Sequence, residues 1–273
     1  MNNSKTSLWL SVLIACLVLL ASGSGILLTS TYARETTPWA IQAVGQDIVN
    51  LISVPTLLIA AFFASKGSAR AFLVWIGVLL SLMYAYIIYA FAAHFNSLFL
   101  VYVTIPGLCF YTLVSAMIRL PLDRLRPVFA AITRARLVST FLLALGILFY
   151  ILWLSEDIPA ILSGKIPQSV LENGLLTNPV HVLDIGIYLP AMIITAILLW
   201  RRKLLGYLLS VPMLVFSILT GMGILAIDLV SGIKGLSVSP GVDLFIATIV
   251  LVSGVLSVLF AHEMQEQRDV SLV

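Results

Sequence analysis

Charge is scarce in this chain. Asp, Glu, Lys and Arg make up 10% of its 273 residues, where a soluble domain carries about 25%. So little charge excludes a separate soluble domain for ATP, signalling or nucleic-acid contact. Cysteine is nearly absent: Cys16 and Cys109 both lie inside apolar stretches, which excludes a disulfide framework. They read as small buried side chains. Only three histidines occur, none at mid-membrane depth, which argues against a haem carrier with paired axial ligands. No Lys falls mid-span, so a retinal Schiff base is unavailable. Gly-x-Ser-x-Gly, Walker and Rossmann fingerprints are missing as well.

What remains is hydrocarbon-soluble. Apolar residues make up 61% of the chain, in continuous rather than alternating runs. A helix of about 20 such residues crosses roughly 30 Å of bilayer core, and helices or closed barrels are the two structures that satisfy their backbone there. The fold class is therefore all-α: a polytopic transmembrane bundle in one membrane domain over 1–273. Its eight spans are read at 7–29, 43–64, 70–93, 96–118, 137–154, 182–200, 204–228 and 242–262. The first run is longer than a signal-peptide core, so it is taken as an uncleaved span despite Ala21-Ser22-Gly23.

Charge also orients the bundle. With the N-terminus inside, inner segments hold Lys5, Lys66, Arg70, Arg119, Arg124, Arg126, Arg134, Arg136, Arg201, Arg202, Lys203 and Arg268. Outer segments hold Arg34, Lys165 and Lys234. Positive-inside bias puts both termini in the cytoplasm, in the cell membrane. Asp123, Glu263, Glu266 and Asp269 are inner. Glu35, Asp47, Glu156, Asp157, Glu172, Asp184, Asp228 and Asp243 are outer, giving a rim that favours cations.

Two loops are long. The inner one, 119–136, carries Pro121, Pro127, Leu122, Leu125, Phe129 and Ile132, and is expected along the anionic leaflet as an orientation signal or a lipid dock. The outer one, 155–177, contains a short helix from Pro167 to Asn173 with Gly174 past its end, read as a connector with a lid as the alternative. The halves 1–133 and 134–273 read as a parallel duplication. Spans two and six each open on polar residues, contain a proline (Pro55, Pro190) and end on a basic turn. In that reading Asp47 and Asp184 face each other. Prolines at 106 and 212 add further kinks.

Polar residues at outer helix ends are the site candidates: Gln46, Asp47, Asn50, His94, His181, Asp184 and Tyr188. His181 and Asp184 share a helical face with Tyr188 one turn deeper, and Asn178 caps that helix ahead of Pro179. They read either as a mutually bonded structural pair or as a site. Gln46 and Asn50 share a face beside Asp47 and serve equally as interhelical glue. Of the tyrosines in span three, Tyr89 suits an interfacial belt and at least one of Tyr84 and Tyr86 faces protein. The ligand types of His94, His181, Asp47 and Asp184 suit zinc, but no His-x-x-x-His spacing joins them. No metal and no cofactor are expected.

Three functions fit. The first is a small-solute or ion permease whose outward polar site takes a small solute or cation. The second is a non-catalytic membrane subunit or assembly factor. The third is an embedded enzyme acting on a lipid or quinone through His181 and Asp184. The expected partner is the bilayer, with no nucleic acid and an oligomeric state left open. The topology is checked with Cys16 and Cys109 replaced by Ala. Lys165→Cys should react with an impermeant maleimide on intact cells, and Arg202→Cys after permeabilisation; the reverse pattern would invert the orientation.

Overall fold

Hydrocarbon offers no partner for a backbone N–H or C=O, so each apolar run closes its hydrogen bonds within a helix. A computed structural model describes residues 3–120 and 126–265. Among these, eight helices are long and apolar enough to span a membrane. They are α1 (Asn3–Leu27), α2 (Thr37–Ser65), α3 (Ala69–Ala92), α4 (Phe99–Ile118), α5 (Ala135–Ser163), α7 (Pro179–Trp200), α8 (Leu204–Ile233) and α9 (Pro240–Glu263). The short α6 (Gln168–Asn173) lies between α5 and α7. No strand occurs among the described residues. The chain is a multi-pass integral membrane protein.

Several helices outrun their apolar cores. The α2 helix begins before the expected residue 43 because the Thr36 hydroxyl accepts from Trp39 N and Pro38 fits the first turn. The α5 helix continues through Ser155-Glu156-Asp157 and Pro159, ending where Gly164 takes φ 65. The α8 helix passes Asp228 to Ile233. Charged residues read as loop are therefore carried on rigid helical ends.

Neighbour order is the same in both halves. In the first, α1 packs on α2, α2 on α3, α3 on α4, and α4 closes on α1. In the second, α5 packs on α7, α7 on α8 and α8 on α9, while α9 and α5 scarcely meet. The halves join where α8 lies along both α2 and α3. Glycine permits that approach. A Cβ on Gly45 would fall 2.6 Å from the Ile227 backbone, and one on Gly77 2.6 Å from Val215 Cβ. Lipid tails are as apolar as Leu, so close packing rather than water exclusion holds such a seam.

The end bearing Lys66, Arg70, Arg201, Arg202 and Lys203 is called the basic end. Here the described part of the 119–136 loop turns apolar side chains into the protein. Val128, Phe129 and Ile132 are buried, and Phe129 stacks on Tyr207, centroids 5.6 Å apart. Enough apolar surface is available beneath α8 and α9 to hold these side chains inside the protein. Pro121, Leu122, Asp123, Arg124 and Leu125 lie outside the described residues, as do Glu266, Arg268 and Asp269. Glu263 latches the loop. Its carboxylate accepts from Thr133 N at 2.8 Å, Thr133 Oγ1 at 2.8 Å and Arg134 N at 3.2 Å, and pairs with the Arg134 guanidinium. The side chain thus ties the residues just ahead of α5 to the end of α9. Gln265 N bonds Val128 O at 3.0 Å. Glu263→Ala should cost about 1 kcal/mol, lower the melting temperature and quicken tryptic cleavage at Arg134. Unchanged proteolysis would dismiss the latch.

Candidate functional site

The polar residues expected to share one pocket divide into three groups. Asp47 turns toward α1. It is buried, its Oδ2 accepting from Tyr32 at 2.7 Å and its Oδ1 from Tyr89 at 3.0 Å. Tyr32 stands in the loop before α2. Burial, and then the Asp47 carboxylate, hold its phenol well above the usual range, so it remains a donor. Gly25 makes room for this group: a Cβ there would sit 1.9 Å from Asp47 Oδ2. A second polar chain runs beside it. Gln46 Nε2 donates to Asn50 Oδ1 at 3.0 Å, Asn50 Nδ2 to Ser22 Oγ at 3.3 Å, and Ser22 lies 2.9 Å from the Tyr86 hydroxyl. Tyr89 is buried on Asp47 rather than set in an interfacial belt, and Tyr84 and Tyr86 both face protein.

His94 stands apart, its Nδ1 2.9 Å from Glu35 Oε2 and its N–H donating to Glu35 Oε1 at 2.8 Å. The pair borders a separate polar cavity of about 320 Å³ with Arg34, Asn96 and Ser97.

The third group surrounds α7. His181 and Asp184 are not bonded to each other. His181 Nδ1 lies 3.0 Å from Asp157 Oδ1, with Glu156 3.9 Å from its other nitrogen. Trp153 stands between the two expected partners. Its ring lies 4.5 Å from the His181 ring, and its Nε1–H donates to Asp184 Oδ2 at 2.8 Å. The turn from Asp184 to Tyr188 is a π-helix, with Leu189 N bonded to Asp184 O. Pro190 explains it. Proline has no N–H and collides with the carbonyl four residues back, so a wider turn relieves the clash. The Ile185 carbonyl, left without the proline donor, accepts the Tyr150 hydroxyl at 2.7 Å.

Asp184 lines a cavity of about 300 Å³ between the two halves. Its wall carries six aromatic rings, Trp39, Tyr84, Tyr89, Phe149, Trp153 and Phe216, besides aliphatic side chains of α5, α7, α8 and α9. Tyr188 supports this wall from behind, its ring 4.9 Å from Tyr84 and 4.5 Å from Phe216. Gln42 and Gln46 reach the cavity from α2, but Asp47 does not line it. Asp47 and Asp184 therefore serve different groups. Over the cavity lies α6. Ser169 N donates to Glu156 Oε1 at 2.9 Å, Asn178 Nδ2 to Ser169 Oγ at 3.1 Å, and Gln42 Nε2 to Asn173 Oδ1 at 2.8 Å. Ser169, Asn173 and Leu175 line the cavity, so the segment roofs it as well as connecting two spans.

Comparison with known proteins finds no matching family model, curated protein or solved structure. Nothing beyond the geometry assigns an activity. Among the described residues no three His, Cys, Asp or Glu side chains are grouped to hold a metal, and the four residues singled out in the sequence, His94, His181, Asp47 and Asp184, sit in the three separate groups above.

Sequence reasoning missed Trp39, Trp153 and the roof contacts. Their signal was present: Trp153 lies on the same chain segment as Glu156 and Asp157, but that segment reads as a span ending in a loop. Gly25→Ala should lower the melting temperature, and lower it less when Asp47→Ala is already present, because the closest clash is with that side chain and, of the nearest atoms, only the Tyr32 hydroxyl then remains in the way. Equal losses in both backgrounds would contradict the contact.

Proposed function

We propose that the protein is a small-solute permease of the cell membrane, with both termini cytoplasmic and the acidic end outward. The observation that carries this reading is the cavity bounded by both halves, with Asp184 in its wall. Transporter sites commonly lie between two repeats that move against each other. The shared neighbour order of α1–α4 and of α5, α7, α8 and α9 supports reading the halves as parallel repeats. The cavity runs from beneath α6 toward mid-depth, while the Phe129–Tyr207 stack and the Glu263 latch close the basic end. Such a chain is roofed by α6 at the acidic end and closed at the basic end, so α6 must lift to admit a solute from the acidic end. Passage then needs the latch to release and the halves to rock along the glycine seam. Helices with internal proline, including α8 with Pro212, offer places to bend.

The twelve basic residues on the inner segments against three on the outer support the orientation. Access from the bilayer is supported by the meagre contact between α5 and α9, both of which wall the cavity.

The test is uptake by proteoliposomes of a panel of small organic cations, zwitterions and neutral amphiphiles, against protein-free vesicles. At least one panel member should enter. Asp184→Asn should cut its flux about tenfold, which corresponds to the loss of one bond to a charged group. Absence of uptake of every member by well-folded wild-type protein would overturn the reading.

A further inference from the structure

The cavity is chemically lopsided. Its wall is mostly aromatic and aliphatic, and among the described residues Asp184 is its one ionisable acid, with no Lys, Arg or His beside it in the lining. A carboxylate has about four acceptor positions. Trp153 Nε1 fills one, and Tyr84 stands beside the same group. The nearest imidazole, His181, is occupied by Asp157 and Glu156. Trp153 and Tyr84 are thus uncharged, and among the described residues the one cationic neighbour, His181, is shared with Asp157 and Glu156 and does not line the cavity. A buried carboxylate in apolar surroundings is costly unless a positive partner or a proton joins it. Aromatic faces add to the preference, since their quadrupoles attract cations when water is excluded. Trp39 Nε1 is buried without a hydrogen-bond partner on the same wall, which leaves a free donor for an acceptor atom elsewhere on a ligand.

We infer that the cavity takes an organic cation with an apolar or aromatic body, its charge against Asp184 and the rings around it. This rests on the permease reading for the site's purpose, but the recognition follows from the lining alone. A volume of about 300 Å³ suits one small amphiphilic molecule. An inorganic ion would leave the aromatic wall unfilled, and an anion would meet Asp184.

The test compares two molecules of one shape. Benzyltrimethylammonium carries the charge; neopentylbenzene is its neutral isostere. Binding to the purified full chain in nanodiscs is read by titration calorimetry and by quenching of tryptophan fluorescence, since Trp39 and Trp153 line the site. The cation should bind at least about tenfold more tightly than the isostere. Asp184→Asn should reduce that preference to about twofold or less, and Glu35→Gln, at the separate polar cavity, should leave it intact. The wild-type comparison stands even where a variant does not fold. Equal binding of the two molecules overturns the cation assignment while leaving transport of a neutral amphiphile in place. A cation bound with the expected preference but never taken up by proteoliposomes retains the site and overturns the permease. Binding of neither molecule overturns the assignment.

Discussion

The approach of α8 to α2 and α3 makes the two halves one molecule. In a bilayer there is no water to be released from apolar surface, so association depends on how many atoms come into contact and how closely. Gly45 and Gly77 bring backbones within reach that any side chain would prevent. Because α8 also packs on α7, the seam fixes α7 relative to α2 and α3 through that one helix. The cavity is the volume left where α8 is held close on one side and α5 and α9 stand apart on the other.

Burial of polar groups follows from the same frame. Asp47 is kept inside by two phenols and a glycine-shaped recess, and it spends its acceptors on Tyr32 and Tyr89. Its neighbours already satisfy it, so it serves as a joint between α1, α2 and α3. Asp184 takes a tryptophan donor, has Tyr84 beside it and lines the cavity. The two buried carboxylates thus stand in different surroundings: one is held among its donors, and the other lines a cavity.

The eight spans were legible because hydrocarbon tolerates few alternatives to an apolar helix. The helix ends were less so. Ser155-Glu156-Asp157 reads as a loop by polarity, yet the helix persists because its carboxylates find Ser169 N and His181. The same holds at Thr36, where a cap adds a turn that carries Trp39 and Gln42 to the cavity. In the site, the choice of polar residues near Asp184 was legible from depth and spacing, and Gln46, Asp184 and the supporting Tyr188 do gather there. The pairing was not. Helical spacing places His181 and Asp184 on one face, but it is silent about Trp153 arriving from another helix between them. Nor does it say that Asp47 turns its back on α7, since that depends on the missing side chain at position 25.

The widened turn at Asp184–Tyr188 gives chain length a meaning that composition lacks. Each residue of an ordinary helix advances the side chains by about 100°, so one residue accommodated in a bulge swings everything before it around the axis. Removing a single apolar residue between 185 and 188 would preserve the hydropathy of the span and its fit to the bilayer. It would nonetheless carry the carboxylate off the wall it now occupies. In this helix, counting matters as much as chemistry.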